Sequence, residues 1–484
     1  MPMNRCVPGA PPQSNSRKGK PMNHKKWLSA VFAFACIAFL SGCGGVSSSP
    51  MTAAQSGTVF VTGTDAPLPS VVSFQVDITG ITVTDGNNTQ SVLSGTQTVD
   101  FARLNGLRTL LDINTIPAGT YTSVTATLAN PQIGYLNVNP PARPAISTLN
   151  GTTSPAVTLT QSSVTIPLST PLVVSTGNII GLKFEFDLRK SIAVDSSGQI
   201  TGAVTPMLDL KAITPNDADA YVDDFIAGVV SVNASGNSFI IQGPHGHQFT
   251  VNVNGQTEWE GSETISNLTS TSIVEISGTL DRTTATFLAD SVGILSQDRF
   301  YADGLITYVN PPTNTATDFD LYVRSVLPSG TGFQSGEIST IDLTGNEKYF
   351  IYWMHNSWTN HFFNAGLMVP GQHVSIGGPF ASGAVTVKRV VLRHEGHTGT
   401  LVASSVNFNA STFQFNSNGL AGVLFNGPVT VYVTPFTRFG GGLKSLSDLS
   451  SNPTNPLRVV GVVLKDPISG QPVFVARGVE ELPN

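Results

Sequence analysis

Charged residues are scarce in this chain of 484 residues, at 12% against roughly 25% in an average soluble domain. Hydrophobic residues make up 40%, which is enough to build cores and argues against wholesale disorder. The sequence also lacks a Gly-x-Ser-x-Gly elbow, a phosphate-binding Gly-rich loop and a dinucleotide fingerprint. It therefore contains no motif typical of common hydrolases, nucleotidases or dehydrogenases, and we predict no catalytic residue and no cofactor.

Acidic residues are absent from the first part of the chain. No Asp or Glu precedes Cys43, whereas six of the 25 basic residues do. Without that segment, 19 basic residues remain against 31 acidic ones, which is a net charge of −12. A surface of this sign repels nucleic acid, and no basic patch offsets it. We therefore expect no DNA or RNA partner.

A basic stretch, an apolar run and a small-residue site stand in that order before Cys43, which is the order of an export signal. The run from Trp27 to Leu40 would be about 21 Å long as a helix, against a hydrocarbon core of about 30 Å, so it is short for a permanent span. Leu40-Ser41-Gly42-Cys43 resembles the bacterial lipobox. The alternative is an ordinary secretory signal with an incidental cysteine.

The lipobox resemblance implies that residues 1–43 hold a signal peptide and that the sulfur of Cys43 carries a lipid such as palmitate. Several acyl chains on one cysteine would anchor the protein stably, since each buried CH₂ contributes about 0.8 kcal/mol. Cys6 and Cys36 would be removed with the signal. The mature protein would then have no disulfide, no thiol nucleophile and no Cys-ligated metal site.

The residues around the signal refine its start and its destination. Met22 is followed at once by the basic residues of a conventional signal, so we expect translation to begin there, with Met1 and Met3 as alternatives. Gly44 rather than Asp after the cysteine implies an outer-membrane lipoprotein, facing the periplasm or the surface, if the cell has two membranes. Residues 44–55 are small and aperiodic and predict a flexible tether.

Alternation of apolar and polar residues predicts strands throughout the rest of the chain. The clearest strand spans residues 181–189, where Leu182, Phe184 and Phe186 share one face. A change of phase at Gly80 predicts a β-bulge. No segment has a sustained period of 3.6 residues, apart from a helical turn around residues 102–111. The pattern predicts an all-β fold that begins with a β-sandwich over residues 56–213.

Four segments of this first domain carry a family resemblance. They are GTVFVTGTDAP from residue 57, VDITGITV from residue 76, Leu110-Leu111-Asp112, and IPAGTYTSV from residue 116. They resemble a bacterial lipoprotein domain, domain-of-unknown-function family 4382, over about residues 56–210. The resemblance implies a β-sandwich and brings no activity with it.

The rest of the chain repeats one pattern three times. Each copy has a hydroxyl residue four places after an inward residue of its third strand: Thr257, Ser357 and Thr437. Five short strands a copy predict small barrels similar in plan to an OB-fold. The predicted barrels span residues 222–298, 299–396 and 397–484. The pattern also resembles domain-of-unknown-function family 5666, and the middle copy departs from it most.

The aromatic run at residues 349–363 is the strongest candidate for a ligand site. Trp353 aligns with inward residues of the other copies, whereas Tyr352 and Trp358 are expected to be exposed and able to stack on a sugar. Packing in a barrel core or between domains is the alternative interpretation of the whole run.

Histidines and acids give weaker candidates. The pairs His245/His247 and His394/His397 lack the i, i+4 helical spacing of zinc proteases, so we expect exposed loop histidines and no metal site. Glu185 and Asp187 lie two apart on one strand at a separation near that of a glycosidase pair, but a charge-balanced solvated face explains them better. Asp65 is expected to cap a turn through its own side chain.

These patterns predict a lipid-anchored protein of the bacterial envelope that acts as a non-catalytic binding, adhesion or structural module. Its expected partners are the membrane, through the anchor, and an envelope protein or glycan. The alternative is a carbohydrate-binding protein or carbohydrate-active enzyme. An enzyme of this kind needs two carboxyl groups that face each other across one deep cleft.

Overall fold

Short strands joined by tight turns fill the described chain, as its alternating pattern predicts. The computed structural model describes residues 55–66, 68, 71–136, 146–196, 199–213, 220–260, 263–281, 284, 286–311, 315–352, 362–382, 384–417, 427–451 and 453–482. These residues belong to one compact unit, Thr52–Asn484. They form 32 strands and one four-residue α-helix, so the predicted all-β class is confirmed. No helix in this part of the chain has the length and apolar character needed to cross a bilayer.

The first 13 strands form a sandwich, which we call the sandwich module. Their bounds are β1 Ser56–Ala66, β2 Val71–Thr84, β3 Thr89–Ser91, β4 Gln97–Asp100, β5 Thr109–Pro117, β6 Gly119–Leu136, β7 Ile146–Leu149, β8 Thr158–Leu159, β9 Ser163–Val174, β10 Ile179–Asp187, β11 Ile192–Val194, β12 Ile200–Val204 and β13 Leu208–Ile213. One sheet has the order β13-β10-β1-β5. The facing sheet is built on β2 and β6, with β3, β4, β7 and β9 beside them. A third, small sheet joins β11, β12 and β8.

Aromatic side chains fill the space between the two sheets. Phe186 of β10 lies 4.9 Å from Phe74 of β2, and Phe184 lies 5.7 Å from Phe101, measured between ring centroids. The register of β2 against β6 shifts between Ile78 and Gly80, so the predicted bulge is confirmed. The fully described helical elements are the α-helix Leu188–Ser191 and the 3₁₀ turns at Phe101–Leu104, Ala234–Gly236, Pro244–Gly246, Ile265–Asn267, Ala365–Leu367 and Leu446–Ser451.

Three barrel-like modules follow, which we call the first, middle and last barrels. The first barrel has β14 Tyr221–Asn233, β15 Ser238–Gln242, β16 Gln248–Asn252, β17 Glu258–Trp259, β18 Ile273–Asp281 and β19 Thr286–Ser296. The middle barrel has β20 Tyr301–Asn310, β21 Asp318–Leu327, β22 Ile338–Asp342, β23 Lys348–Ile351, β24 His373–Gly377, β25 Phe380–Ala381, β26 Ala384–Val385 and β27 Arg389–Leu392. The last barrel has β28 Glu395–Leu401, β29 Thr412–Ser417, β30 Val429–Gly440, β31 Leu457–Lys465 and β32 Pro472–Glu481.

The three barrels share one strand order. With the two-residue strands β17, β25 and β26 left out, the first strand of each barrel pairs with the second and the fourth. The third strand runs parallel to the fifth. The last barrel is closed by β30 and β32, and the first by β16 and β19. In the middle barrel the third strand is divided between β22, which pairs with β21, and β23, which pairs with β27. This order is that of the predicted OB-like barrel.

A buried threonine explains the repeated hydroxyl of the third strand. Thr257 donates its hydroxyl to the carbonyl of Ala289 on the fifth strand at 2.8 Å, and Thr437 does the same to Ala476 at 2.6 Å. Each hydroxyl also accepts the backbone N–H three residues earlier. The threonine therefore satisfies polar backbone groups where the third strand is interrupted.

The modules share hydrophobic cores. Phe60, Leu110 and Ile213 of the sandwich pack into the core of the first barrel. Val462 and Val475 of the last barrel pack into the core of the middle one. Each module therefore depends on a neighbour for part of its apolar burial, and any experiment has to use the full chain.

Candidate functional site

A cleft of about 1230 Å³ lies where the sandwich, the first barrel and the middle barrel meet. Its lining includes four runs of consecutive residues: 97–100, 109–111, 225–230 and 324–329. A strand that turns one face to a cavity contributes every second residue, because its side chains alternate. Consecutive residues therefore indicate that strand edges, rather than sheet faces, line this cleft.

Two of these edges lack a neighbouring strand among the described residues. β4 pairs with β2 on one side and with no strand on the other. β21 loses its neighbour β22 beyond Val323, so residues 325–327 pair with β20 alone. Arg324 lies at a register shift, and its carbonyl accepts from Gln75 Nε2 at 3.3 Å. Open edges present backbone N–H and C=O groups that water or a ligand must satisfy.

The side chains of the cleft are mostly hydroxyl, amide and aliphatic groups. Asp100 is the one carboxylate among the described lining residues, and it is already engaged, accepting from Ser73 Oγ at 2.7 Å and from the Phe74 N–H at 2.9 Å. Arg299, by contrast, is exposed and forms no ion pair with a described residue. The cleft therefore offers hydrogen-bonding groups and one open cation, but no pair of facing carboxylates.

A network of buried charged groups lies beside the cleft, and we call it the junction cluster. It consists of Arg103, Asp223, Asp224, Glu275, Tyr301, Asp303, His373, Arg393, His394 and Arg477. These residues come from all four modules. A buried charge is tolerated only when it is paired, so the cluster requires the four modules to keep their present arrangement.

Arg393 is at the centre of the junction cluster and is 2% exposed. Its guanidinium donates to Asp224 Oδ1 at 2.9 Å and to the Tyr301 hydroxyl at 3.0 Å, and its Nε lies 2.7 Å from Glu275 Oε2. Asp224 also pairs with Arg103 of the sandwich. Burial raises the pKa of Glu275 to about 8, against the lowering effect of the Arg393 charge.

His373 connects the middle barrel to the last one. Its Nδ1–H donates to the carbonyl of His394 at 2.7 Å, and its Nε2 lies 2.7 Å from Asp303 Oδ2. Burial alone would raise the pKa of Asp303, but the hydrogen bond and charge of His373, together with Arg103 and Arg393, hold it well below its usual value. Asp303 is therefore an ionised carboxylate held against a ring nitrogen of His373.

His394 is the neutral member of the cluster. Burial, helped by the nearby charges of Arg477 and Arg393, lowers its pKa well below the ordinary value. Its Nδ1 lies 3.4 Å from Arg477 Nη1 and accepts from it. Arg477 also pairs with Asp223 of the first barrel at 3.3 Å. A neutral imidazole acceptor therefore helps to hold an arginine of the last barrel in place.

The prediction of exposed loop histidines at 394 and 397 is wrong. Both side chains are buried, because the segment between the middle and last barrels runs through the interface of all four modules. Glu395 Oε1 pairs with Arg324 Nη2 of the middle barrel at 3.3 Å, and Glu395 Oε2 lies 3.7 Å from His397 Nε2. The available signal was a group of ionisable residues directly after an apolar strand, with no Asn-Gly or Pro-Gly turn to carry them to the surface.

A smaller ionic contact joins the first and middle barrels. Arg389 pairs with Glu263 and with Glu260, the latter at 3.5 Å, and its guanidinium lies 3.8 Å from the ring centroid of Phe350. Burial raises the pKa of Glu260 to about 8. The contact again pairs an arginine of one module with acids of another.

Tyr352 lies in the interior, so the expectation that it is exposed is wrong. Its side chain is 1% exposed, and its hydroxyl lies 3.0 Å from both Ser277 Oγ and Ser291 Oγ of the first barrel. The strand β23 ends one residue earlier, at Ile351, so strand alternation did not indicate the direction of this side chain. A ring in this position packs between barrels, which was the alternative interpretation. Trp358 and Cys43 lie outside the described residues.

The histidines at 245 and 247 contact the sandwich. His247 Nε2 lies 3.4 Å from Ser94 Oγ and 3.8 Å from Asp112 Oδ1. A catalytic triad needs the acid on the other ring nitrogen, so this is not a triad. No group of three or more His, Cys, Asp or Glu in the described part of the chain is arranged to hold a metal ion.

The acids of the sandwich have structural partners. Glu185 pairs with Lys183 on its own strand, and Asp187 pairs with Lys190 at 2.6 Å and caps the α-helix by accepting the Lys190 N–H at 3.1 Å. These pairs support the charge-balanced interpretation of the strand. The prediction that Asp65 caps a turn is wrong: Asp65 lies within β1 and accepts the Leu188 N–H at 3.4 Å. It is buried, and burial raises its pKa well above the ordinary value.

The family described as a domain of unknown function, DUF4382, matches residues 56–201. The match covers strands β1 to β11 and ends at the second residue of β12, so the resemblance of the N-terminal domain to this family is confirmed. No curated protein matches the chain.

Proposed function

We propose that this protein is a lipid-anchored, non-catalytic binding protein of the bacterial envelope and that the cleft holds its ligand. The observation that carries this proposal is the lining of the cleft. Open strand edges and hydrogen-bonding side chains face it, while its one described carboxylate, Asp100, is already engaged. Such a surface can hold a ligand but offers no acid and base to transform it.

The anchor part of the proposal rests on the sequence. The lipobox-like Leu40-Ser41-Gly42-Cys43 follows a basic and an apolar stretch in the order of a lipoprotein signal. Lipid on Cys43 would tether the folded modules to a membrane, the outer one if the cell has two. The three barrels would belong to a family similar to domain-of-unknown-function family 5666, as their repeated pattern suggests.

The junction cluster gives the binding proposal a rigid frame. Three modules build the cleft, so its width depends on how firmly they are held. Arg393 and its partners join these modules in the interior, where ion pairs are screened least. A cleft fixed in this way loses little conformational entropy when a ligand binds.

The positions of the perturbed acids favour binding over glycan hydrolysis. A glycosidase needs two carboxyl groups on either side of the bond to be cleaved. Glu260 and Glu275 have pKa values raised to about 8, but each lies in the interior against an arginine and outside the cleft lining. These two acids therefore contribute to the packing between modules.

A blocking substitution tests the role of the cleft. Gly228 lines the cleft, and a Cβ there meets nothing within 4 Å, so Gly228→Trp would fill the space without a clash at its base. Gly255→Trp is the matched control, since Gly255 has the same open surroundings and does not line the cleft. The full chain is exposed to envelope glycan and peptide fractions, and hydrogen–deuterium exchange of residues 97–111 and 324–329 is followed.

We expect a fraction that slows exchange in wild type and Gly255→Trp, fails to do so in Gly228→Trp, and is recovered with unchanged mass. Protection that survives Gly228→Trp would place the ligand elsewhere. Recovery of cleaved material would favour the enzyme alternative.

The anchor has its own test. Wild type is expected to fractionate with membranes and to carry acyl mass on its N-terminal peptide, whereas Cys43→Ser should do neither. Cys36→Ser is the control, because Cys36 lies in the segment that would be removed. Membrane fractionation of Cys43→Ser at the wild-type level would contradict the lipid anchor.

A further inference from the structure

The outer edge of β4 is a ready template for another strand. The pairing of β4 with β2 runs from Asp100 opposite Gln75 to Gln97 opposite Ile78. No described strand lies on the other side of β4. All four of its residues line the cleft. An open edge of this kind binds extended polypeptide through main-chain hydrogen bonds.

The hydrogen-bonding direction of β4 follows from its partner strand. The Phe74 N–H points toward β4, because it donates to Asp100 Oδ1 at 2.9 Å. Backbone groups alternate sides along an antiparallel strand, so the N–H and C=O of Val76 also face β4. They are placed to exchange backbone hydrogen bonds with Val99, the Cα partner of Val76. Thr98 then directs its N–H and C=O, and Asp100 its N–H, away from β2 and toward the cleft, while the Asp100 carbonyl belongs to the N-terminus of the 3₁₀ turn Phe101–Leu104.

The cleft has room for such a strand. A neighbouring strand would lie about 4.8 Å from β4, and the four residues of β4 would match about 13 Å of it. In the part of the cleft formed by the first barrel, a Cβ at Gly228 would meet no atom within 4 Å, so this part of the cleft is open.

The side chains of the cleft indicate what kind of polymer fits. Phe225 is the one aromatic residue in the described lining, and it is buried, so no exposed ring is available to stack on a sugar. Val230 and Leu327 are each 36% exposed and offer apolar contacts. Arg299 is an exposed cation in a protein that is otherwise acidic. These features suit an extended peptide with alternate apolar and acidic side chains better than a glycan.

We propose that the ligand is an acidic, extended polypeptide segment that adds to the outer edge of β4 as a further strand, with an acidic side chain facing Arg299. This inference rests on the proposed binding function of the cleft and names the class of its ligand. Main-chain bonds to Thr98 and Asp100 would provide affinity, and Val230, Leu327 and Arg299 would provide selectivity.

The test uses a fluorescein-labelled peptide of eight residues in which valine and glutamate alternate, and its binding to the full chain is followed by fluorescence anisotropy. A second peptide has the same side chains but N-methyl groups on alternate amides, which removes main-chain donors. We expect the first peptide to bind at least tenfold more tightly than the second. Equal binding of the two would overturn strand addition.

Substitutions on β4 and at residue 299 locate the contact. Thr98→Pro removes an outward N–H at an edge position where proline is tolerated, and should weaken peptide binding at least tenfold. Thr98→Val keeps that N–H and loses the hydroxyl that donates to Asp77 Oδ1, so it separates the loss of the side chain from the loss of the main-chain donor. Arg299→Gln should weaken binding several-fold and Arg299→Lys much less. Thr98→Pro with wild-type affinity and a wild-type unfolding midpoint would overturn the proposal; if Thr98→Pro does not fold, the two peptides decide.

The outcomes separate this inference from the proposed function. If the unmodified peptide does not bind but an envelope fraction still protects the cleft in wild type and not in Gly228→Trp, strand addition is wrong and the binding function stands. If neither the peptide nor any fraction protects the cleft, both are wrong.

Discussion

The cleft and the junction cluster lie at the same meeting of modules and treat polar groups in opposite ways. In the cluster, Arg393 is enclosed and contacts Asp224, Glu275 and Tyr301. In the cleft, Arg299 is exposed, and backbone groups of β4 and β21 face open space. The polar groups of the cluster therefore hold the modules together, whereas those of the cleft remain available to bind water or a ligand.

This contrast separates structural from functional charge. A buried arginine whose partners come from several modules reports on the arrangement of those modules. An exposed arginine at an open strand edge contributes little to stability, because its charge is already solvated. The shifted pKa values of Glu275, Asp303 and His394 belong to the first kind of site.

The largest expected effect comes from removing the central cation of the cluster. Arg393→Met leaves Asp224 and its neighbours buried without their partner, and breaking a buried pair in this way costs about 3–5 kcal/mol of unfolding free energy. The matched control is Arg299→Met in the cleft, where a surface change should stay within about 0.5 kcal/mol. Denaturant unfolding of both variants measures the difference. Equal losses would remove the distinction between the two sites.

The next effect is the pH dependence that Glu275 confers. Its pKa is about 8 in the folded protein and about 4.5 when unfolded, so between these values the folded state keeps a proton that the unfolded state has lost. Its contribution to stability therefore falls as pH rises from about 4.5 to 8, by at most about 1.4 kcal/mol per pH unit. The stability of Glu275→Gln relative to wild type should rise over this range. A difference independent of pH would show that Glu275 is ionised throughout.

His394 should give the opposite sign. Its pKa is lowered in the folded protein, so below about pH 6.5 the unfolded state binds a proton that the folded state does not. Stability from this group is present above that pH and is lost as pH falls through it. His394→Gln, whose amide oxygen can accept from Arg477, should therefore gain stability relative to wild type between pH 6.5 and 5. A loss over the same interval would contradict a neutral His394.

The smallest effect is expected in the cleft itself. Gly228→Trp should change the unfolding free energy by no more than about 0.5 kcal/mol, because its Cβ has open surroundings and the site is not part of a core. Its effect should appear in ligand protection alone. A loss above about 2 kcal/mol would show that the cleft closes on itself and is part of the packed interior.

Local patterns in the sequence predicted the strands and some of their details. The alternation of Leu182, Phe184 and Phe186 placed these side chains in the sandwich core, and the change of phase at Gly80 marked a real bulge. The repeated Thr257 and Thr437 proved to occupy equivalent positions with equivalent hydrogen bonds. Such features depend on residues close in sequence or on one strand period, which is why they were accessible.

The junction cluster and the cleft could not be predicted in the same way. Arg103, Asp224 and Arg393 are more than 100 residues apart in sequence, and only the packing of modules brings them together. The open edge of β4 depends on which strands pair, which composition and alternation do not specify. Tyr352 was misplaced because strand alternation does not extend past the end of β23.

Hydrogen–deuterium exchange of the unliganded full chain tests the contrast between cluster and cleft most directly. The account predicts strong protection of the amides at Asp224 and Arg393, which are bonded to the Arg108 and His373 carbonyls at 3.0 and 2.8 Å. It predicts fast exchange of the outward amides of Thr98 and Asp100. Exchange at Thr98 and Asp100 as slow as at Asp224 and Arg393 would contradict an open binding edge beside a closed structural cluster.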